Sequence, residues 1–542
     1  MKTEQVKRRV VLVSAALAVA AGCSAQDVPG AEPSAGPSPA RTVTSTPTPE
    51  PAQPLTWGPT PDVYRTAAGL VAGMSVSQQA GQVIVARYGS VENAAGLMVD
   101  LHLGGVIVMG DNVDSTDQVR GDIAALQAAA GRPYPLVVGV DQEGGTVARI
   151  GAPATAFPTL MTMGAARDAA LAERVARASG DELRALGFTM VFAPVADVTT
   201  GPDDPTIGSR SASSDPAIAA GVAMSSVSGY AASGIVAAVK HFPGHGSVPA
   251  DSHVELPVQD ATLDELSRRD FLPFRTAVGA GVPAVMVGHI DVAAVDPGVP
   301  SSLSAPVVDL LRDGLGFDGL VVTDAMEMAA VTGGFGTGEA AVRSLAAGVD
   351  LVLMPPDVRA AHTGIVDAVA EGRLPAARLA EAATRSVALM LHQAGGVRRP
   401  PPDVVGSHDA VSYEASLAGL TVVSGACGGA LVGPSIQITG GTRTDRALLT
   451  EAAEAAGLRT GSGDVVRLLA GTSPGSGDVV VALDTPYGLG DSAATSGRIA
   501  LYGRTPAAFR ALVDVLTGTA SGGGTLPVEV PGADRRGCTL AP

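Results

Sequence analysis

Three of the chain's eight histidines crowd into the segment Lys240 to His253, "KHFPGHGSVPADSH". Pro243 and Gly244 break any helix there, so His241 and His245 cannot share a helical face as paired metal ligands would. A zinc site drawn from His241, His245, Asp251 and His253 is one alternative, and histidines that merely bond loop backbone are another. The triplet Asp251-Ser252-His253 suits acid/base work better. Its carboxylate can set the imidazole tautomer and favour the protonated ring, leaving the second nitrogen to deliver a proton. Lys240 and His241 are then free to hold substrate hydroxyls. Further on, the apolar run in "GFDGLVVTDAMEM" leads directly into Asp324. A carboxylate so placed can act as a nucleophile and form a covalent intermediate, with His253 as acid and then as base. This chemistry needs neither metal nor cofactor.

Such residues need a scaffold that aims them at one place. Eight short β-branched runs alternate with helical stretches: Val83–Arg87, Val106–Met109, Leu136–Asp141, Met190–Ala193, Ile235–His241, Ala284–His289, Leu320–Asp324 and Asp350–Met354. Between them, segments such as "DAALAERVARASGDELRALG", "DPAIAAGVAMSSVSGYAASG" and "DELSRRDFLPFRTAVGAG" begin near Asp and end at Gly, as capped helices do. Eight βα units predict a (β/α)8 TIM barrel, whose site is built at the C-terminal strand ends. Asp141, Lys240, His241, His289 and Asp324 all stand at such ends, and Asp197 just beyond one. Each alone is equally well a helix cap or a solvated loop residue. As a set they mark a barrel mouth.

Composition narrows the partner. The chain has 36 basic and 53 acidic side chains, a net −17, which repels phosphate backbones and anionic lipid. Nucleic acid is excluded as a partner, and a neutral carbohydrate is favoured. Residues 1–23 combine Lys2, Lys7, Arg8 and Arg9, an apolar run and Cys23, as in a lipoprotein signal peptide whose lipobox cysteine is lipidated. An ordinary secretory signal with an incidental cysteine is the alternative. Residues 24–57, rich in Pro, Ser and Thr, read as a disordered tether. The protein is therefore expected to be exported and held on the outer face of the cell membrane by a lipid anchor only. Cys427 and Cys538 could pair in that oxidising compartment, or stay as buried thiols.

The motifs as a set resemble those of family 3 glycoside hydrolases, specifically its β-N-acetylglucosaminidase branch, across nearly all of residues 60–395. "TDA" after an apolar strand implies Asp324 as nucleophile, and "KHFPGHG" followed by "DSH" implies His253, with Asp251, as acid/base. "VDQEGGTVARI" implies Asp141 and Arg149 as substrate contacts, "DPTIGSR" implies Arg210, and "KH" implies Lys240 and His241. The strand-end position adds His289 to the binding set. Two departures are visible: Thr146 where a basic residue is common, and no aromatic after Arg210. The implied activity is exo-acting, retaining removal of terminal β-linked N-acetylglucosamine from cell-wall fragments or chitin oligosaccharides.

Residues 58–400 are thus assigned to the catalytic barrel and 401–542 to a smaller C-terminal α/β sandwich domain, which alternates strands such as "DVVVALD" with helical stretches such as "DRALLTEAAEAAG". "GTSPG" at Gly471 imitates a serine-esterase elbow but runs into another strand instead of a helix. Two alternatives stay open: phosphorolysis at the same site, since a neutral imidazole repels an incoming anion less than a carboxylate does, and a non-catalytic glycan-binding lipoprotein.

Overall fold

The computed structural model describes residues 58–533 and 536–538. The signal segment, Cys23 and the tether lie outside them. All eight expected strand runs form strands: β1 Ile84–Ala86, β2 Gly105–Val108, β3 Val137–Val140, β4 Met190–Val191, β5 Val236–Phe242, β6 Ala284–Val287, β7 Leu320–Thr323 and β8 Val352–Leu353. Their neighbours pair in parallel in the order β7-β6-β5-β4-β3-β2-β1-β8. The ring closes where Val322 of β7 bridges Leu351 in parallel and the N–H of Thr323 donates to the Leu351 carbonyl at 3.0 Å. Every residue of these strands is buried, because side chains on one face fill the barrel and those on the other meet helices.

The helices follow the caps that the sequence displays. Asp168 caps Ala169–Leu186 and Gly187 ends it in the left-handed region; Asp215 and Gly234 do the same for Pro216–Ser233. The expected third helix divides in two, Leu263–Arg268, capped by Thr262, and Phe271–Gly279. Pro273 is the reason: it has no N–H for the carbonyl of Arg269, so it is tolerated only in the first turn of a new helix.

A second parallel-dominated sheet contains β9 Thr421–Gly425, β10 Ser435–Gly440, β11 Arg459–Thr460, β12 Asp464–Leu469, β13 Ser476–Ala482 and β14 Ala493–Ala500, in the order β9-β14-β13-β12-β10-β11. Alternate residues face opposite sides. Val466, Leu468, Val479, Val481 and Ile499 meet the helices Arg443–Ala455 and Pro506–Thr517 through Leu449, Phe509 and Leu512. Val480, Ala482, Ala500 and Tyr502 instead pack on Met161 and Ala165 of a barrel helix and on Leu526 and Val528. This is the period-two logic of a strand applied to two partners. A disulfide joins Cys427 to Cys538.

Candidate active site

The C-terminal ends of β3, β4, β5 and β7 converge on a cleft of about 320 Å³. After β3 the chain passes Asp141 and enters a small ribbon, Gln142–Gly144 paired with Val147–Ala148. Gln142 holds this ribbon shut, accepting the N–H groups of Arg149 at 2.8 Å and Ile150 at 3.0 Å. The turn requires glycine: Gly144 and Gly145 have φ of 96° and 59°, and a Cβ on Gly145 would lie 2.2 Å from the Thr159 side chain. Glu143 is thereby buried in the cleft wall.

Glu143 is the member of the site that the motifs did not reveal. It accepts two parallel hydrogen bonds from Arg210, at 2.8 and 2.9 Å, and pairs with Lys240 Nζ at 2.6 Å. Lys240 also donates to Asp141 at 2.7 Å. Burial alone would raise the Glu143 pKa, but Arg210 and Lys240 outweigh it and hold the carboxyl far below the usual range. Lys240, buried among two carboxylates, keeps its proton: burial lowers its pKa, and Asp141 and Glu143 more than restore it. Arg210 reaches this position on the short turn Gly208–Arg210, preceded by Asp204, whose carboxylate caps the N–H groups of Thr206, Ile207 and Gly208.

Asp197, in the loop after β4, is buried and does three jobs. Its carboxylate takes His241 Nδ1 at 2.6 Å, the His241 N–H at 3.2 Å and the His245 N–H at 2.7 Å. His241 Nε2 lies 3.4 Å from the Arg210 guanidinium. Asp141, Arg149, Arg210, Lys240 and His241 thus line one wall of the cleft together. Arg149 Nε is buried with no hydrogen-bond partner among the described residues.

Asp324 follows β7 and is partly exposed to the cleft. Its Oδ1 accepts the N–H of Ala325 at 2.8 Å. Burial pushes its pKa up, yet the charges of His241, His289 and Lys240 prevail and bring it to about 2. The carboxylate is therefore ionised at any ordinary pH, as a nucleophile must be. Across the cleft mouth His253 Nδ1 sits 2.7 Å from Asp251 Oδ1, which also accepts the His253 N–H at 2.9 Å. This fixes the ring's orientation and leaves Nε2 for a leaving group.

His289 is placed differently from the other expected binders. It is fully buried, with Nδ1 on Ser302 Oγ at 2.7 Å and Nε2 on the Ala325 carbonyl at 3.0 Å, and it does not line the cleft. Both nitrogens are taken, so it steadies the turn beside Asp324 and has none left for a sugar. The cluster of histidines also divides its ring nitrogens among different partners: Asp197 for His241, Ser252 for His245 and Asp251 for His253. Among the described residues no group of three or more metal-ligating side chains converges. At the rim Arg87 bridges Asp111 at 2.7 Å and Glu327 at 3.1 Å.

Glu143→Gln would leave two buried cations undercompensated, and the expected loss is about 3–5 kcal/mol of unfolding free energy at pH 7, with a fall in activity. Because the native Glu143 pKa is depressed, its stabilisation is present above the ordinary carboxylate pKa and lost as pH falls below it. Chemical denaturation of both proteins from pH 7 to pH 3 should show the gap narrowing below about pH 4.3. A gap of constant size would contradict this role.

One family model and three known proteins bear on this geometry. Residues 75–389 match the family model described as the glycosyl hydrolase family 3 N terminal domain. The β-hexosaminidase LpqI of Mycobacterium tuberculosis is 35% identical over 384 residues, covering 68% of this chain and 93% of that protein. A β-hexosaminidase of Stenotrophomonas maltophilia is 39% identical over 256 residues, 46% of this chain and 75% of its own. The solved structure of a family 3 β-N-acetylglucosaminidase from Paenibacillus sp. superposes with a TM-score of 0.77 at 29% identity, covering 85% of this chain and 99% of that one. With its barrel matched along its length and its site at the barrel's strand ends, this chain belongs to glycosyl hydrolase family 3.

Proposed function

We propose that the protein is an exo-acting, retaining β-N-acetylglucosaminidase that acts on cell-wall fragments or chitin oligosaccharides. The observation that carries this reading is the pairing, in one cleft, of an ionised Asp324 with an oriented Asp251–His253 dyad. Names support the sugar: two relatives are called β-hexosaminidases and the structural neighbour a β-N-acetylglucosaminidase.

In this mechanism Asp324 Oδ2 attacks the anomeric carbon while the bond from that carbon to the leaving oxygen breaks. His253 Nε2 gives its proton to that oxygen. Asp251 stabilises the ring while it is charged; its own pKa, which burial would raise, is lowered by hydrogen bonds from the His253 N–H and ring. A water molecule then loses a proton to His253 and attacks the same carbon, which releases Asp324. Lys240, Arg210, His241, Asp141 and Arg149 hold the sugar hydroxyls, with Glu143 and Asp141 offsetting the charges of Arg210 and Lys240.

A panel of nitrophenyl glycosides tests the reading. Only the N-acetylglucosaminide should be cleaved well, free sugar should remain the product in phosphate buffer, and Asp324→Ala should be nearly inactive. Wild-type rates in Asp324→Ala, or accumulation of a glycosyl phosphate, would refute it.

The location is part of the proposal and rests on the basic start, apolar run and Cys23 of residues 1–23. Cys23→Ala should move the mature protein from the membrane fraction to the medium; unchanged membrane retention would count against an anchor.

A further inference from the structure

The Asp251-Ser252-His253 triplet has a buried centre and exposed flanks. The side chains of Asp251 and His253 are 38% and 64% exposed, whereas Ser252 is 1% exposed. Ser252 Oγ lies 2.8 Å from His245 Nε2, and His245 is itself only 2% exposed. The N–H of His245 is in turn held by Asp197, the carboxylate that also orients His241. On its other side the Ser252 carbonyl accepts the N–H of Ala330, in the turn of helix that follows Asp324. Ser252 therefore joins the loop of the dyad both to the sugar-binding wall and to the chain that carries the nucleophile.

His245 invites the question of what it is for. It lines the cleft but has no hydrogen bond at Nδ1 among the described residues, so Ser252 is the one side chain its ring bonds. A buried polar group left unsatisfied costs about 1–3 kcal/mol, so an apolar residue would serve packing better than a half-satisfied imidazole. What the ring does supply is a rigid link from a fixed strand end to the middle of the triplet. Acid/base catalysis demands such a link, because the donor nitrogen must come within hydrogen-bond reach of the leaving oxygen.

We propose that His245 and Ser252 are positioning residues whose hydrogen bond latches the Asp251–His253 pair over the nucleophile. The proposal rests on the reading of His253 as acid/base. Without the latch, the backbone bond from the Ala330 N–H to the Ser252 carbonyl still ties the loop to the chain after Asp324, but the tie to the strand-end side of the cleft through His245 is lost. The sugar-binding wall is untouched.

The test compares kcat/KM for a β-linked N-acetylglucosamine disaccharide, which needs a proton at the leaving oxygen, with that for the dinitrophenyl glycoside, which does not. Ser252→Ala and His245→Asn should lower the first by about 10- to 100-fold and leave the second nearly unchanged. Competitive inhibition by free N-acetylglucosamine should stay as in the wild type. His245→Gln, whose amide reaches the place of Nε2, should recover most of the disaccharide activity. Should Ser252→Ala not fold, judged by its melting curve, the two His245 variants decide. Equal losses on both substrates, or a loss on neither, would overturn the latch while His253→Ala retains its leaving-group dependence. If His253→Ala shows no such dependence, the acid/base reading falls and the latch with it.

Discussion

Two cations side by side in a barrel mouth repel each other by about 4 kcal/mol at 4 Å with an effective dielectric of 20, and burial adds to that cost. Lys240 and Arg210 are in this position, and the buried carboxylate of Glu143 lies between them. With Asp141 completing the set, two cations and two carboxylates offset one another in a fixed polar wall, beside Arg149 and His241. In the proposed function such a wall would recognise hydroxyls by direction instead of by field, as an uncharged sugar requires. It also sets the charge environment of Asp324, whose ionised state depends on Lys240 and His241 nearby.

The second domain enters this account through the loops it supports. The Tyr502 carbonyl accepts Thr159 Oγ1 at 2.6 Å, and Thr159 is the residue against which Gly145 packs in the Glu143 ribbon. Thr485 lies within 3.6 Å of where a side chain on Gly208 would begin, in the turn that presents Arg210. Ser213 Oγ donates to the Pro527 carbonyl at 2.5 Å just after that turn. Among the described residues none beyond Met354 lines the cleft, and the contacts of the C-terminal domain lie behind its wall.

Much of this was legible in the residues. The eight strands stand where the β-branched runs do, and five of those runs end in a polar residue, because a strand buried on both faces stays largely apolar until it reaches the mouth. The placement of Asp324 and the Asp-Ser-His triplet at one cleft was readable, because their types and spacing set them at strand ends and in an irregular loop. Glu143 was not, since it lies past the strand in a ribbon. A signal existed: Asp141 and Glu143 alternate onto one face of extended chain, and two cations in other loops needed a counter-charge. His289 shows the limit of the strand-end rule, which locates a residue at the mouth without saying whether its nitrogens are already taken. The split of the third expected helix was legible in Pro273 itself.

The central claim is that Asp324 itself attacks the sugar, so that two displacements return the original configuration. Proton NMR of the first-formed N-acetylglucosamine, recorded before mutarotation, tests it most directly. The account predicts that the β-anomer appears first and the α-anomer only later, at the rate of spontaneous equilibration. An α-anomer as the first product would mean a single displacement by water and would contradict a covalent intermediate on Asp324.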